Sequence, residues 1–178
     1  MTETFENLLV NIDELPELTA EEFNPIDSSY LRVIRIGYGI FFLVMLVVPL
    51  VIIYVNDEYR EDYYLYGIFG GATLLIWIIN FIIITKAYNK KKYALRERDI
   101  IYLNGLFWSK RIAIPFNRIQ HAEVKQGPIE RFYGLHNLKI FTAGGSSSDL
   151  SIPGLKEETA LKLKNFILEK VEEDGIHS

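Results

Sequence analysis

Histidine, serine and lysine are the chemically able side chains of this sequence, and the neighbours of each decide what it can do. His121, His136 and His177 lack the spacing that brings metal ligands together, and no carboxylate is placed to orient their rings. The 178 residues contain no cysteine, so there is no disulfide, no thiolate nucleophile and no thiolate metal site. The run Gly144–Asp149, Gly-Gly-Ser-Ser-Ser-Asp, has none of the strand–turn–helix context of a nucleophile elbow and reads as a turn. No glycine loop leads into a P-loop lysine. The sequence therefore offers no catalytic residue, no metal site and no cofactor site, and the expectation is a protein that is not an enzyme. The basic cluster Lys86, Lys90, Lys91 and Lys92 has the size and setting to meet anionic lipid headgroups. It is equally the charge signal that orients a membrane helix.

Two uncharged runs set the position of that cluster. Ile36–Val55 is 20 residues without a charge and Tyr64–Thr85 is 22. Twenty helical residues span about 30 Å, the thickness of a bilayer's hydrocarbon core. The first run holds 14 Leu, Ile, Val or Phe residues, enough to outweigh Gly37, Gly39 and Pro49. Both runs are expected to be transmembrane helices, with Pro49 kinking the first or opening its hydrogen-bond ladder. Arg32 and Arg35 precede the first span and the lysines follow the second, while the loop Asn56–Tyr63 holds four acids against one arginine. Positive charge stays inside, so both termini are expected in the cytoplasm. Tyr54, Tyr59, Tyr63, Tyr64 and Tyr66 gather at the outer boundary as an aromatic belt. Within the second span Gly67 and Gly71 form a small-xxx-small pair, and Asn80 is its one strongly polar side chain. The three are candidates for helix packing, first of all between the two helices of the hairpin.

Charge divides the chain further. Residues 1–31 carry eight acids and no base, residues 32–85 three bases and four acids, and residues 86–178 sixteen bases and eleven acids. The reading is an acidic arm over 1–31, a membrane unit over 32–92 with its basic linker, and a cytoplasmic domain over 93–178. Phe5, Leu8, Leu9 and Ile12 recur at helical spacing before Pro16, which suits either a short amphipathic helix or a frayed, disordered end. The arm is expected to fold back, with those apolar residues covering an apolar groove on the domain or on a second copy of it. The net +5 of residues 86–178, linker lysines included, comes without an aromatic stacking array, which argues against nucleic acid as a partner.

Beyond Lys92 the pattern becomes short strands: Tyr93–Glu97, Ile100–Leu103, Leu106–Ile114 after the Asn104–Gly105 turn signal, Arg118–Lys125, Leu135–Ala143 and Leu150–Ile152. Pro128 and Gly134 bracket a short helix. A longer one over Lys156–Glu173 has apolar residues at 3–4 spacing, and three acids at its end that should fray the last turn.

The stretch from Ile114 to Gly144, IPFNRIQHAEVKQGPIERFYGLHNLKIFTAG, resembles the signature of the bacterial pleckstrin-homology (PH) membrane proteins, the YdbS-like family. Ile114–Pro115, Arg118–Ile119–Gln120, Gln126–Gly127–Pro128, Arg131, Gly134–Leu135 and Thr142–Ala143–Gly144 carry the likeness, which extends over about residues 30–172. It implies a PH-like α+β domain, a partly open β-barrel of about seven strands closed by a C-terminal helix, behind a two-helix transmembrane hairpin. It also implies a multi-pass protein of the bacterial inner membrane that catalyses nothing and associates with a larger relative carrying repeated PH domains, or with itself, in envelope defence against antimicrobial peptides. Arg118, Gln120, Gln126 and Arg131 are the residues the signature marks as a candidate polar interaction surface, or as bonds at the barrel rim. Relatives that bind inositol phosphates place basic residues on the loop after the first strand. Here it reads Arg96–Glu97–Arg98–Asp99, each base followed by an acid, which argues against that ligand. The expected partners are the lipid bilayer and another membrane protein, with anionic headgroup binding as the alternative function.

Overall fold

The computed structural model of the chain describes residues 22–143 and 149–176. Phe5, Leu8, Leu9, Ile12, the Gly144–Ser148 turn and His177 lie outside them. Two long helices come first, α1 over Ser29–Val55 and α2 over Tyr63–Tyr88, both long and apolar enough to cross a membrane. α1 is one continuous helix through Pro49. Each helix overshoots its uncharged run on the same side, α1 by the seven residues 29–35 and α2 by residues 86–88. Those overhangs meet the globular domain.

The domain's strands are β1 (Asn24–Pro25), β2 (Lys92–Leu95), β3 (Asp99–Asn104), β4 (Lys110–Pro115), β5 (Ile119–Lys125), β6 (Leu135–Thr142) and β7 (Leu150–Lys156). They form two antiparallel sheets, β1-β2-β3-β4 and β5-β6-β7, neither of them closed. A 3-10 turn, Phe116–Arg118, carries the chain from one sheet to the other. The short helix α3 spans Pro128–Phe132 and the C-terminal helix α4 spans Glu157–Ile176. Ile100, Phe116, Leu138, Ile140, Ile152 and Ile167 are fully buried between the sheets and α4. Phe116 meets Phe166 edge to face, 5.9 Å between ring centres. This is the open PH-like arrangement the resemblance implies, with the C-terminal helix laid over the core.

Several local expectations shift. Asn24 pairs with Tyr93 and Pro25 with Lys92, so the last residues of the acidic arm add an edge strand to the sheet. Asn104–Gly105 opens a wider loop, Gly105–Ser109, and β4 starts only at Lys110. Gly105 has φ +112°, and a Cβ there would collide with the Trp108 carbonyl. That carbonyl packs over the glycine and turns Phe107 and Trp108 outward. α4 stays helical to Ile176, with Lys170 Nζ 2.6 Å from Glu173.

Candidate functional site

α3 shows how the residues of the central motif work. Pro128, with no N–H to leave unsatisfied, takes the first helical position. Glu130 reaches back so that its Oε2 accepts the Gly127 N–H at 2.7 Å, and its Oε1 accepts Asn137 Nδ2 at 3.0 Å. It is the one buried charged side chain among the described residues, 8% exposed. A buried carboxylate needs such donors, since its desolvation would otherwise cost several kcal/mol (roughly). Gln126 donates from Nε2 to the Leu135 carbonyl at 3.1 Å. Gly134, at φ +61°, ends the element. These bonds make α3 a rigid bracket between β5 and β6.

The bracket rests on the transmembrane unit. Ile129 lies beside Gly37, where an added Cβ would sit 4.0 Å from its Cδ1. Arg32 stacks its guanidinium 5.1 Å from the Tyr133 ring centre. On the other side of α1, Gly154 packs against Tyr30 so closely that a Cβ would come within 2.6 Å of the Tyr30 side chain. The Asp27 N–H donates to the Gly154 carbonyl at 2.9 Å, and the Tyr88 hydroxyl donates to the Ile26 carbonyl at 3.1 Å. Asp27 also caps α1 by accepting the Ser29 N–H at 2.8 Å and lies 3.7 Å from Lys156 Nζ. Burial pushes the Asp27 carboxyl up, and the Ser29 bonds with Lys156 outweigh it, leaving the group below its ordinary value.

Between α1, α2 and α3 these contacts leave a groove of about 770 Å³. Its walls are mainly apolar: Val33, Gly37 and Phe41 of α1, Ile84 and Ala87 of α2, and Ile129 of α3. Tyr30, Tyr38, Tyr88, Lys91 and Glu130 add a few polar groups toward the domain. Lys91 donates to Asn104 Oδ1 at 2.8 Å, and burial holds its ammonium below the usual lysine value. An apolar groove with a polar end, set where the helices leave the bilayer, suits an amphipathic occupant.

The marked residues fall in different places. Arg118 ends the 3-10 turn and Gln120 lies at the start of β5, whereas Gln126 and Arg131 follow its other end. The strand between them is about 23 Å long, and all four side chains are exposed. Gln126 is spent on the Leu135 carbonyl. Of the lysines, Lys86 and Lys90 are exposed, while Lys91 and Lys92 are half-buried at the start of the sheet. Asn80 faces α1 across a cavity of about 90 Å³ shared with Arg35, Tyr38 and Trp77. Arg35 bonds Thr85 Oγ1 at 3.0 Å and lies 4.3 Å from the Phe81 ring centre. Gly67 and Gly71 are exposed, and a Cβ at either would meet nothing within 4 Å. The pair therefore plays no part in packing α1 on α2. At the turn between β2 and β3 Arg96 and Asp99 are paired with each other, so one base of that loop is neutralised.

The family of bacterial PH domains matches residues 31–171, a stretch that takes in nearly all of both long helices and strands β2 to β7. The chain belongs to this family. It is 31% identical over 156 residues to the UPF0699 transmembrane protein YdbS of Bacillus subtilis, covering 86% of this chain and 96% of that one. It is 25% identical over 127 residues to YdbT, a UPF0699 transmembrane protein of the same organism, covering 70% of this chain and 25% of YdbT. A solved PH-domain protein of the DUF1696 family from Shewanella loihica is similar at 19% identity, over 46% of this chain and 70% of that one, with a TM-score of 0.36. As a bacterial PH domain with two candidate membrane helices, the chain has no relative among these whose name denotes an enzyme.

Tyr30, Glu130 and Gly154 were not singled out from the sequence, and Gly37 only as a cost to the first span. Glu130 stood inside the motif, and its place three residues after Gly127 was the available sign of a capping acid. Nothing local marks Tyr30 or Gly154, whose importance comes from each other.

Proposed function

We propose that the chain is a non-enzymatic, membrane-anchored PH-like module that takes a neighbouring membrane protein in the junction groove, with both of its termini cytoplasmic. The observation that carries this reading is the groove itself: mainly apolar, set between α1, α2 and α3, and framed by a bracket whose buried carboxylate, Glu130, already has its donors. Such a frame offers shape and apolar surface rather than charge, which suits a packed protein segment. The exposed outer faces of α1 and α2, Gly67 and Gly71 among them, would let a partner's helices pack alongside. A larger relative such as YdbT, with a stretch similar to this chain, is the kind of partner meant, in a complex of the bacterial inner membrane that defends the envelope against antimicrobial peptides.

The second reading, anionic headgroup capture, is favoured by the exposed Lys86 and Lys90. One experiment separates the two. A photoreactive phenylalanine analogue replaces Phe41 in the groove, or Leu161 on the exposed face of α4 as a control, and membranes are irradiated at low and high salt. A salt-insensitive adduct to a second membrane protein from position 41, absent from position 161, is the expected result. Lipid adducts alone, weakening as salt screens the lysines, would replace the protein-binding reading with the lipid one.

A further inference from the structure

From residue 92 onward, the large apolar side chains that stand exposed among the described residues are Phe107, Trp108, Phe132 and Leu161. Three of the four are aromatic, at 73%, 87% and 88% exposure, while the domain's other described large apolar residues are buried or half-buried. All three lie at one end of the domain. β2 begins at Lys92, only three residues after α2 ends. Lys92 pairs with Leu103 and Asn104 with Lys110, so the loop Gly105–Ser109 leaves the sheet at the end where β2 enters it. Lys91 fixes that end through its bond to Asn104. Phe132 closes α3, the element whose Ile129 rests beside Gly37.

We infer that Phe107, Trp108 and Phe132 are interfacial anchors, which seat the domain on the boundary between headgroups and acyl chains of the inner leaflet. The distances allow it. The helical overhang of α2 adds about 4.5 Å beyond its uncharged run, and three extended residues add at most about 10 Å. The headgroup layer is itself about 5–7 Å deep, and a loop pointing back toward the bilayer covers the remainder. The chemistry agrees. Trp and Phe with basic neighbours settle at a membrane interface: Lys110 and Arg111 follow Trp108 closely in the chain and Arg131 precedes Phe132, all three exposed, with the Arg111 guanidinium 5.9 Å from the Phe23 ring centre. The packing of Gly105 under the Trp108 carbonyl holds the tip in an outward shape before any lipid meets it. The contact is independent of what occupies the groove.

The test uses tryptophan fluorescence of the full chain, one copy per lipid nanodisc of phosphatidylethanolamine and phosphatidylglycerol. Trp77→Phe leaves Trp108 as the single tryptophan. A second variant, Trp77→Phe with Trp108→Phe and Phe132→Trp, moves the probe to the other anchor. Each probe is expected to emit to the blue of an aqueous tryptophan. Each should be quenched more by a spin label near the headgroup end of the acyl chain than by one near its terminus, and little by aqueous iodide. Water-like emission with iodide quenching and no lipid quenching, at either position, overturns the inference. That includes the case in which a protein partner covers the rings in cells.

Discussion

Gly154 lies directly against Tyr30, with its backbone at φ +67° and no room for a side chain between the two. The contact ties β7 of the domain to the first turn of a transmembrane helix, and the adjoining bond from the Asp27 N–H to the Gly154 carbonyl continues it. Domain and membrane helix are thus packed together rather than merely linked. Gly154→Ala puts a Cβ within 2.6 Å of the Tyr30 side chain and forces alanine into a left-handed backbone. Together these should cost about 2–4 kcal/mol. Thermal unfolding in detergent should show the loss, and Tyr30→Ala in the same chain should relieve part of it. An unchanged midpoint for Gly154→Ala would mean that the junction is loose.

Glu130 supports the other side of the junction. Glu130→Ala leaves the Gly127 N–H and the Asn137 amide without their acceptor, at an expected cost of about 2–4 kcal/mol. The effect should concentrate in α3. Hydrogen exchange should accelerate at Arg131, whose N–H donates to the Gly127 carbonyl, and far less in β3. Uniform acceleration throughout the domain would show that Glu130 serves the general core instead.

How much of this was legible in the sequence varied with the range of the interaction. Two uncharged runs flanked by bases mark α1 and α2 because burial in lipid requires a continuous length of apolar residues. Pro128 and Gly134 mark α3 because each restricts its own backbone. The meeting of Gly154 with Tyr30 and of Ile129 with Gly37 is set by tertiary packing, and no periodicity within either segment foretells it. The same limit explains Arg118 and Arg131, which are near in sequence yet separated by the length of β5. Spacing placed Gly67 and Gly71 on one helix face but could not say whether α1 covered it.

The open space around Gly71 has a consequence for the isolated chain. Gly71→Leu should leave its thermal stability in detergent within about 0.5 kcal/mol. Asn80→Leu should do little more, because the Asn80 Oδ1 is buried without a hydrogen-bond partner and an apolar group of similar shape loses nothing there. A marked drop for Gly71→Leu would reveal that copies pack through this face even when purified.

Orientation is read from charge, and the absence of cysteine makes it simple to measure. Glu61→Cys, in the loop between the helices, should react in intact cells with a thiol reagent that cannot cross the membrane. Lys90→Cys should react only after the membrane is opened. The reverse pattern would place the PH-like domain outside the cell.

Filling the groove is the most direct test of the account. Gly37→Leu adds apolar bulk where the wall is open, beside Ile129, without touching a hydrogen bond of the bracket. Membranes are extracted into lipid-retaining particles and the assemblies weighed by native mass spectrometry, with the thermal midpoint of each purified chain taken alongside. The wild-type chain is expected in a complex with a second membrane protein, and Gly37→Leu should appear without that partner at an unchanged midpoint. A partner retained by Gly37→Leu, or a wild-type chain accompanied by lipid alone, would contradict the assignment of the groove.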